Sequence, residues 1–223
     1  MKEEGRNNGT AKRLKGFYSA MYSALGPQGW WPGKTRFEVI AGAILTQNTA
    51  WTNVEKAIAN LKSRGVLSPA KLHGLSLSEL APLIRPAGYF NIKAKRLKNF
   101  TDYLFKEHNG SLDRLLKHRR PKELRRELLK ISGIGPETAD SIVLYAAGMP
   151  EFVVDAYTKR IFSRHSLAKE DDEYEELKSV FMENLKPDAA LFNEYHALIV
   201  RTGKDFCRPK EPLCNVCPLK RLL

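Results

Sequence analysis

The chain has 223 residues, of which 43% are hydrophobic and 28% charged, as is usual for a soluble globular protein of one large or two smaller domains. No run of about 18 apolar residues is present, which excludes a membrane-spanning protein, and the first residues, MKEEGRNNGTAKRLKG, lack the apolar segment of a secretory signal. The formal net charge of +12 favours a polyanionic partner, most often nucleic acid, although such a charge also occurs for solubility alone. We therefore expect a cytoplasmic protein with no membrane partner.

Helical periodicity dominates the chain, and no alternating strand pattern is convincing. The run FVV at 152–154 is too short to build a sheet. The predicted fold class is all-α with short loops, and the first twelve residues are expected to be frayed. In chain order, helices are predicted over 37–47, 52–65, 76–84, 91–108, 111–119, 121–131, 136–148, 155–167, 172–185 and 189–207.

The segment 124–148 has the pattern of two helices joined by the turn SGIG. Gly133 and Gly135, on either side of Ile134, allow a tight turn and the close approach of another backbone. Pro136 suits the first turn of the second helix, where no N–H is needed. The turn amides and this helix N-terminus would bind an anion such as a DNA phosphate, although an ordinary helical hairpin has the same pattern.

Asp155 follows two valines at the start of the predicted helix 155–167. Aspartate is a favoured N-cap residue, and capping is the ordinary interpretation. The positive end of a helix also keeps such a carboxylate charged, which suits a group needed as an anion at neutral pH. Asp155 is therefore a candidate catalytic residue as well as a cap.

Several stretches together resemble the helix-hairpin-helix DNA glycosylases of the endonuclease III family. The matching stretches are ISGIGPETADSIVL, AAGMPEF and VVD within 131–155, GAILTQNT at 42–49, RPAGYFNIKAKRL at 85–97, and HALIVRTGKDFCRPKEPLCNVCPL at 196–219. The resemblance covers nearly the whole chain from about residue 30 onward. It implies a two-domain helical fold in which a bundle, 38–149, contains the hairpin, while the segment 1–37 packs with a C-terminal domain, 150–223, that ends in a cysteine-rich loop.

The resemblance also implies the chemistry. Family members excise a damaged base from double-stranded DNA after flipping it out, because its glycosidic bond is unreachable in the stack. The active site lies between the domains, where Asp155 would stabilise positive charge on the sugar and orient or deprotonate the attacking water. Gln47 matches the residue inserted into the gap left by the base, with Asn48 assisting; a loop amide with local hydrogen bonds is the alternative. A monomer at the nucleoid is expected.

Glu137 stands where bifunctional family members have the lysine that attacks the sugar C1′ and forms a Schiff base. A glutamate cannot form this imine, so the resemblance implies base excision without lyase chemistry. Lys159, one turn after Asp155, is an alternative amine, but an ion pair or a phosphate contact is its expected role. Gly42 matches the position of the catalytic glutamate of adenine-mismatch glycosylases, which argues against that branch.

The stretch WWPGKTRFEVIAGAILTQNTAWTNVEKAIANLK, 30–62, is similar to the 3-methyladenine DNA glycosylase III branch. Trp30, Trp31, Pro32 and Trp51 match the aromatic lining of the base pocket in that branch. A 3-alkylated adenine is cationic, so it is attracted to aromatic faces, and it leaves readily with little acid catalysis. Adjacent tryptophans also occur as simple packing residues. With the family match, the pocket interpretation is preferred for at least one of Trp30 and Trp51.

The three cysteines, Cys207, Cys214 and Cys217, lie close together near the C-terminus, which disfavours a disulfide framework. Their spacing matches the first three ligands of the family's [4Fe–4S] loop, but Leu223 stands at the expected fourth cysteine. The resemblance implies a structural cluster bound by three thiolates and another ligand, such as the terminal carboxylate; a vestigial site and a zinc site are alternatives. The cluster would hold a basic loop against DNA phosphates, through Arg208, Lys210, Lys220 and Arg221.

The leading hypothesis is a monofunctional DNA N-glycosylase that removes alkylated purines, such as 3-methyladenine, in base excision repair. An alternative within the same class is an endonuclease III-like glycosylase with AP lyase activity on oxidised pyrimidines. An alternative of another class is a non-catalytic helix-hairpin-helix DNA-binding protein. The presence of Asp155 together with an aromatic pocket disfavours this last alternative.

Overall fold

The computed structural model of the protein describes residues 2–31, 33–117 and 120–222, with the backbone alone for residues 2–8. Throughout these residues the secondary structure is helical, without a β-strand, so the predicted all-α fold is confirmed. The helices are α1 (Lys2–Leu25), α2 (Arg36–Leu45), α3 (Trp51–Ser63), α4 (Pro69–His73), α5 (Leu77–Leu83), α6 (Phe90–His108), α7 (Leu112–Leu116), α8 (Pro121–Leu128), α9 (Pro136–Ser141), α10 (Ala156–Arg164), α11 (Tyr174–Met182) and α12 (Ala189–Asp205). Shorter turns are three 3₁₀ turns (Arg85–Ala87, Cys214–Val216, Lys220–Leu222) and one π-helical turn (Ile142–Ala146).

Two helices, α1 and α4, are not among the predicted ones. The first residues were expected to be frayed, but α1 is helical from Lys2 onward. Its buried side chains Leu14, Phe17 and Met21 recur every three or four residues, and this amphipathic face is hard to recognise among glycines and polar residues. Packing of the C-terminal half of α1 nucleates the helix, and its extension toward the N-terminus then costs little free energy.

The first compact unit consists of Met1–Trp30 and Pro150–Leu223. Its core is aromatic, with Phe17, Phe152, Phe162, Phe181, Phe192 and Tyr195 all fully buried. α10 and α12 approach closely at Gly203, where a Cβ atom would lie 2.5 Å from the ring of Tyr157. Only glycine allows this approach, which brings the start of α10 against the last turn of α12.

The second compact unit is Trp31–Met149. α2 is its central element, because every residue from Phe37 to Leu45 is buried. The longest helix of this unit, α6, buries Ala94, Leu97, Phe100 and Leu104, spaced three and four residues apart. The units therefore divide after Trp30 and Met149, where the sequence analysis expected limits at 37 and 149. No helix in the described part of the chain combines the length and apolar character needed to cross a bilayer.

Candidate active site

Asp155 is the N-cap residue of α10. Its Oδ1 accepts hydrogen bonds from the backbone N–H of Thr158 at 2.7 Å and from the Thr158 hydroxyl at 2.8 Å. The other carboxylate oxygen, Oδ2, lies 3.6 Å from Nε2 of His196 on α12, and the two side chains are 13% and 7% exposed. The carboxylate is thus fixed by its own helix on one side and faces an imidazole on the other.

These partners set the charge of the carboxylate. Burial would raise the pKa of Asp155, but the interaction with His196 and the hydrogen bonds from Thr158 prevail, so its pKa lies below the ordinary 3.8. No role was predicted for His196 from the sequence. A histidine within a largely buried helix resembles a core residue, and only its distance from Asp155 in the folded chain distinguishes it.

The segment before Asp155 is held by burial and by one internal ion pair. Phe152, Val153 and Val154 are at most 4% exposed. Glu151 lies 2.6 Å from the ammonium of Lys178 on α11, and both side chains are less than a tenth exposed. This extended, anchored segment delivers Asp155 to the start of α10 in one defined position.

Lys159 lies one turn after Asp155, as expected, but its ammonium donates to the backbone carbonyl of Asp172 at 2.8 Å. This contact fixes the loop before α11. The structure therefore joins Lys159 to that loop, while His196 faces the Asp155 carboxylate.

The hairpin consists of α8, the turn SGIG and α9. Gly133 has a φ of +95°, and a Cβ atom there would lie 2.3 Å from Cγ of Arg96, so the side chain of Arg96 passes directly beneath the turn. Ile134 is buried, and Gly135 is the N-cap of α9 with a φ of −92°. On the first arm, Arg125 is 2.6 Å from the fully buried carboxylate of Asp140 and holds α8 to α9.

Gln47 and Asn48 follow the end of α2. The Gln47 amide donates to the Gly133 carbonyl at 3.1 Å and to the Thr138 hydroxyl at 2.8 Å, and its carbonyl oxygen accepts from Arg96. Gln47 thus bonds to the hairpin, which is distant from it in the sequence. Asn48 is exposed and has a left-handed backbone, with a φ of +53°.

Trp31, Trp51 and Tyr145 form an aromatic cluster in the second unit. The ring centroid of Trp31 lies 5.0 Å from that of Trp51, edge to face, and 5.0 Å from that of Tyr145. A Cβ atom at Gly42 would lie 3.2 Å from the Trp31 indole, so the indole packs on the bare backbone of α2. Tyr145 was not predicted, because it reaches the cluster from the π-helical turn of Ile142–Ala146.

Two other residues were predicted to line the pocket. Trp30 is half-buried and belongs to the first unit. Pro32 lies outside the described residues. The structure thus brings together Trp31 and Trp51 of the four predicted residues and adds Tyr145 to them.

Glu137 is exposed in the first turn of α9, directly after the hairpin turn. Its backbone carbonyl accepts from the Ser141 hydroxyl at 2.8 Å, one turn later. An acid here is favoured by the positive end of the helix, which is an ordinary reason for its stability. The side chain at this position is a carboxylate and supplies no amine for covalent chemistry.

The cysteine tail is fixed to α10 by two arginines. Arg160 donates to the carbonyls of Cys207 and Gly203 at 2.7 and 2.9 Å, and Arg164 donates to the Cys207 sulfur at 3.3 Å. Cys207 is buried, Cys214 exposed and Cys217 half-buried, and all three are free thiols. The remaining position in the predicted set, Leu223, lies outside the described residues.

The described residues contain no assembled metal site at these thiols. Burial, and to a lesser extent the nearby thiols Cys207 and Cys214, raises the pKa of Cys217. Among the described residues, no group of three or more His, Cys, Asp or Glu side chains is placed to hold a metal ion. In the part of the chain that the structure describes, the spacing of the cysteines is thus not accompanied by a formed metal site.

Comparisons with known proteins agree with this architecture. Residues 41–187 match the family model described as HhH-GPD superfamily base excision DNA repair protein. A protein of Methanocaldococcus jannaschii named "Putative DNA repair glycosylase" is 49% identical over 203 residues, which cover 91% of this chain and 92% of that protein. Endonuclease III of Sulfolobus acidocaldarius is 28% identical over 192 residues, covering 84% and 82% of the two chains.

Solved structures show the same relationship. The crystal structure of H. pylori 3-methyladenine DNA glycosylase bound to 1,N6-ethenoadenine has a TM-score of 0.75 and 30% identity, and covers 87% of this chain and 97% of that one. A trapped endonuclease III–DNA covalent intermediate has a TM-score of 0.81 at 22% identity, covers 95% of this chain and 94% of that one, and so shares the fold. From the matched family model and these relatives, we conclude that the chain belongs to the HhH-GPD superfamily of base excision DNA repair proteins and is a DNA glycosylase of that family.

Proposed function

We propose that the chain is a monofunctional DNA N-glycosylase that excises alkylated purines resembling 3-methyladenine. The observation that supports this most is the aromatic cluster of Trp31, Trp51 and Tyr145 packed on Gly42. A cationic alkylated purine is attracted to the faces of such rings, where a neutral base gains less. The relative from H. pylori, a 3-methyladenine DNA glycosylase with 1,N6-ethenoadenine bound, supports the same substrate class.

In the proposed reaction, water attacks the sugar C1′ as the C1′–N bond breaks, and the base leaves with the bonding electrons. Positive charge develops on the sugar, and the Asp155 carboxylate stabilises it and takes or orients the proton of the water. The lowered pKa of Asp155 keeps this group charged at neutral pH. A 3-alkylated adenine already has a positive charge, so this leaving group needs no strong general acid.

Glu137 supports hydrolysis without strand cleavage. AP lyase chemistry starts with an amine that forms an imine with the opened sugar, and a carboxylate at this position cannot do so. Lys159, the other amine considered, donates to the Asp172 carbonyl. We therefore propose that the product is an intact abasic strand.

The proposal can be tested with duplex oligonucleotides that contain one lesion each: a stable 3-methyladenine analogue, thymine glycol or a preformed abasic site. Each sample is divided between alkali-treated and untreated arms, with a borohydride arm to trap any imine. The expected result is strand breaks at the alkylated base only after alkali, with no trapped adduct. Cleavage of thymine glycol without alkali, together with a trapped adduct, would instead establish the endonuclease III-like alternative.

The predicted partner is double-stranded DNA with a damaged base, bound by a monomer. We propose that its contacts include the turn amides of Gly133, Ile134 and Gly135, the exposed Asn48, and Gln47 once it is released from the hairpin. Gln47 must give up its hydrogen bonds to Gly133 and Thr138 before its amide can occupy a gap in the base stack. Footprinting on a duplex with an abasic analogue would test these contacts.

The [4Fe–4S] cluster is a separate proposal with its own test. Cys207, Cys214 and Cys217 are the residues that would hold it, and its role would be structural. With a structural role, the cluster takes part in no step of the proposed reaction. Iron and acid-labile sulfide in the purified protein would support the cluster, whereas three thiols that react freely with a thiol reagent would oppose it.

A further inference from the structure

Lys93 of α6 is the only lysine among the largest fully buried side chains of the described residues, at 1% exposure. Its ammonium donates to the backbone carbonyls of Leu45 and Ala87, each at 2.8 Å, and to the hydroxyl of Thr49. The Thr49 hydroxyl in turn donates to the Ala87 carbonyl at 2.6 Å. Three oxygens from two separate turns thus surround one buried cation.

The two turns share an unusual feature. The turn 45–49 contains Asn48, which is exposed and has a φ of +53°. The turn 87–89 ends in Tyr89, which has a φ of +45° and is 70% exposed, the highest value among the large hydrophobic residues of the described chain. Left-handed backbone is unfavourable for residues other than glycine and persists where the surrounding structure imposes it.

The positive charge of Lys93 suits a side chain that binds both turns. Leu45 is the last residue of α2, so the ammonium lies at the negative end of that helix. The atoms that face it from α2 and the two turns are uncharged oxygens, and the charged group that acts on it among the described residues is Arg96 of the same helix. Burial, and to a lesser extent Arg96, lowers the pKa of Lys93 to about 8.

A lysine with a lowered pKa could also act as a nucleophile, but the geometry is against this role. An amine that is 1% exposed and bound to three oxygens cannot reach a sugar carbon. The effect of Lys93 must therefore pass through the segments it holds. This distinguishes a positioning residue from a catalytic one.

We propose that Lys93 is a positioning residue for damaged DNA, whose ammonium joins the turns 45–49 and 87–89 into one rigid edge that presents Asn48 and Tyr89 to the duplex. The proposal rests on the proposed function in taking these turns as DNA-contacting. The rest of α6 supports it. Arg96 bonds Gln47, and Asn99 donates to the Ser132 carbonyl at 2.8 Å, so residues spaced by three on one helix face locate both the turn and the hairpin.

The test compares Lys93→Met with Lys98→Met, a matched control on the same helix. Lys98 is also largely buried and donates to a backbone carbonyl, that of His73, but it holds α4. Each variant is assayed for binding to an intact duplex and to the same duplex with a tetrahydrofuran abasic analogue, well below its unfolding temperature. In Lys93→Met, the affinity for the abasic duplex relative to the intact duplex should fall about tenfold, which is the scale of one charged hydrogen bond. The affinity for the intact duplex itself should change by no more than about twofold. Lys98→Met should keep the preference.

A folded Lys93→Met protein that keeps the wild-type preference would overturn the proposal. If this variant does not fold, Thr49→Val removes one of the three acceptors while preserving shape, and the same loss of preference is expected to a smaller degree. An unchanged preference in Thr49→Val would also count against Lys93. Because the abasic analogue is read by binding alone, this test remains valid even if the enzyme excises no alkylated purine.

The pH dependence separates positioning from simple structural support. The pKa of Lys93 is about 8 in the folded protein, below the unfolded value of 10.5. Between these two pH values the unfolded chain holds the proton more tightly, so the free energy of unfolding rises as the pH rises. Positioning predicts the opposite trend for DNA: the preference for the abasic analogue should decline above about pH 8 while thermal stability does not. The decline should be missing in Lys93→Met. A wild-type preference that is flat across this range would refute the proposal.

Discussion

At the scale of single residues, the proposed function adds a catalytic role to the capping role of Asp155, and the two make conflicting demands on a carboxylate. As an N-cap it must accept hydrogen bonds from Thr158, and as a catalytic group it must remain charged and reach the sugar. The hydrogen bonds use Oδ1 alone, at 2.7 and 2.8 Å, whereas Oδ2 faces His196. One oxygen can therefore cap the helix while the other acts on the substrate.

Asp155→Asn should separate these roles. Asparagine caps a helix about as well as aspartate, so the fold should be retained. Loss of the charge should reduce the single-turnover rate of base excision by roughly a hundredfold or more, with DNA affinity unchanged. The matched control is Asp188→Asn, the N-cap of α12, which accepts from Leu191 at 3.0 Å and lies outside the proposed site. Equal rate losses in both variants would show that capping, and not charge, explains the effect.

His196 should control the acidic side of the pH profile. In His196→Gln, burial still raises the pKa of Asp155 while a main opposing influence is removed, so that pKa should rise. The acidic limb of kcat/KM should then move to higher pH. Because the lowered pKa of Asp155 stabilises the fold above about 3.8 and this contribution is lost as pH falls through the folded value, acid unfolding should also begin at higher pH. His73→Gln, in the second unit, should leave both curves unchanged.

Among the residues of the candidate site, those with a local sequence signature could be predicted from the sequence. Asp155 has the signature of a cap before a helix, and Trp31 and Trp51 lie within a stretch, 30–62, that resembles a known branch of the family. His196 and Tyr145 have no such signature, because their roles depend on a helix crossing and on a π-helical turn. Helix propensity does not distinguish the i to i+5 bond from Ala147 to Ile142, at 3.0 Å, from an ordinary helical bond.

At the scale of elements, the hairpin depends on the close approach of α6 to its turn. The sequence predicted a tight turn at Gly133 and Gly135 but not which glycine needs its small size. Gly133 has a φ of +95° and the Arg96 side chain beneath it, whereas nothing lies within 4 Å of a Cβ at Gly135. The distinction arises from a helix distant in sequence, so the turn alone could not reveal it.

Gly133→Ala should therefore damage the hairpin, while Gly135→Ala should not. The new Cβ at 133 would combine a strained backbone with an overlap at 2.3 Å, and we expect a loss of about 1–3 kcal/mol in the free energy of unfolding. Arg96 would be displaced, and with it the Gln47 amide. Urea unfolding measures the first effect, and affinity for a duplex with an abasic analogue measures the second. Similar losses in the two variants would contradict this account of Gly133.

At the scale of the whole molecule, the excess of positive charge predicts binding to DNA but not which cations take part. The net charge of +12 is a sum over the sequence. In the structure, some cationic side chains are bound to other groups of the protein, whereas others are exposed. Arg125 is paired with Asp140, which is fully buried, and Arg160 and Arg164 hold the cysteine tail. Arg126 and Lys130 are exposed on the hairpin. These two are therefore candidates for phosphate contacts at the hairpin.

This division predicts different responses to salt. Each phosphate contact contributes about −0.9 to the slope of log K against log salt concentration, so Arg126→Gln with Lys130→Gln should make the slope shallower by about 1.8 if each cation meets one phosphate. Arg125→Gln should instead leave the slope unchanged and lower the free energy of unfolding by about 3–5 kcal/mol, because it leaves a buried carboxylate without its ion-pair partner. Binding titrations over a range of salt concentrations, with unfolding curves for the same proteins, distinguish the two outcomes. A shallower slope in Arg125→Gln would mean that this guanidinium leaves Asp140 to bind DNA, and that the charge of the hairpin is redistributed when the duplex arrives.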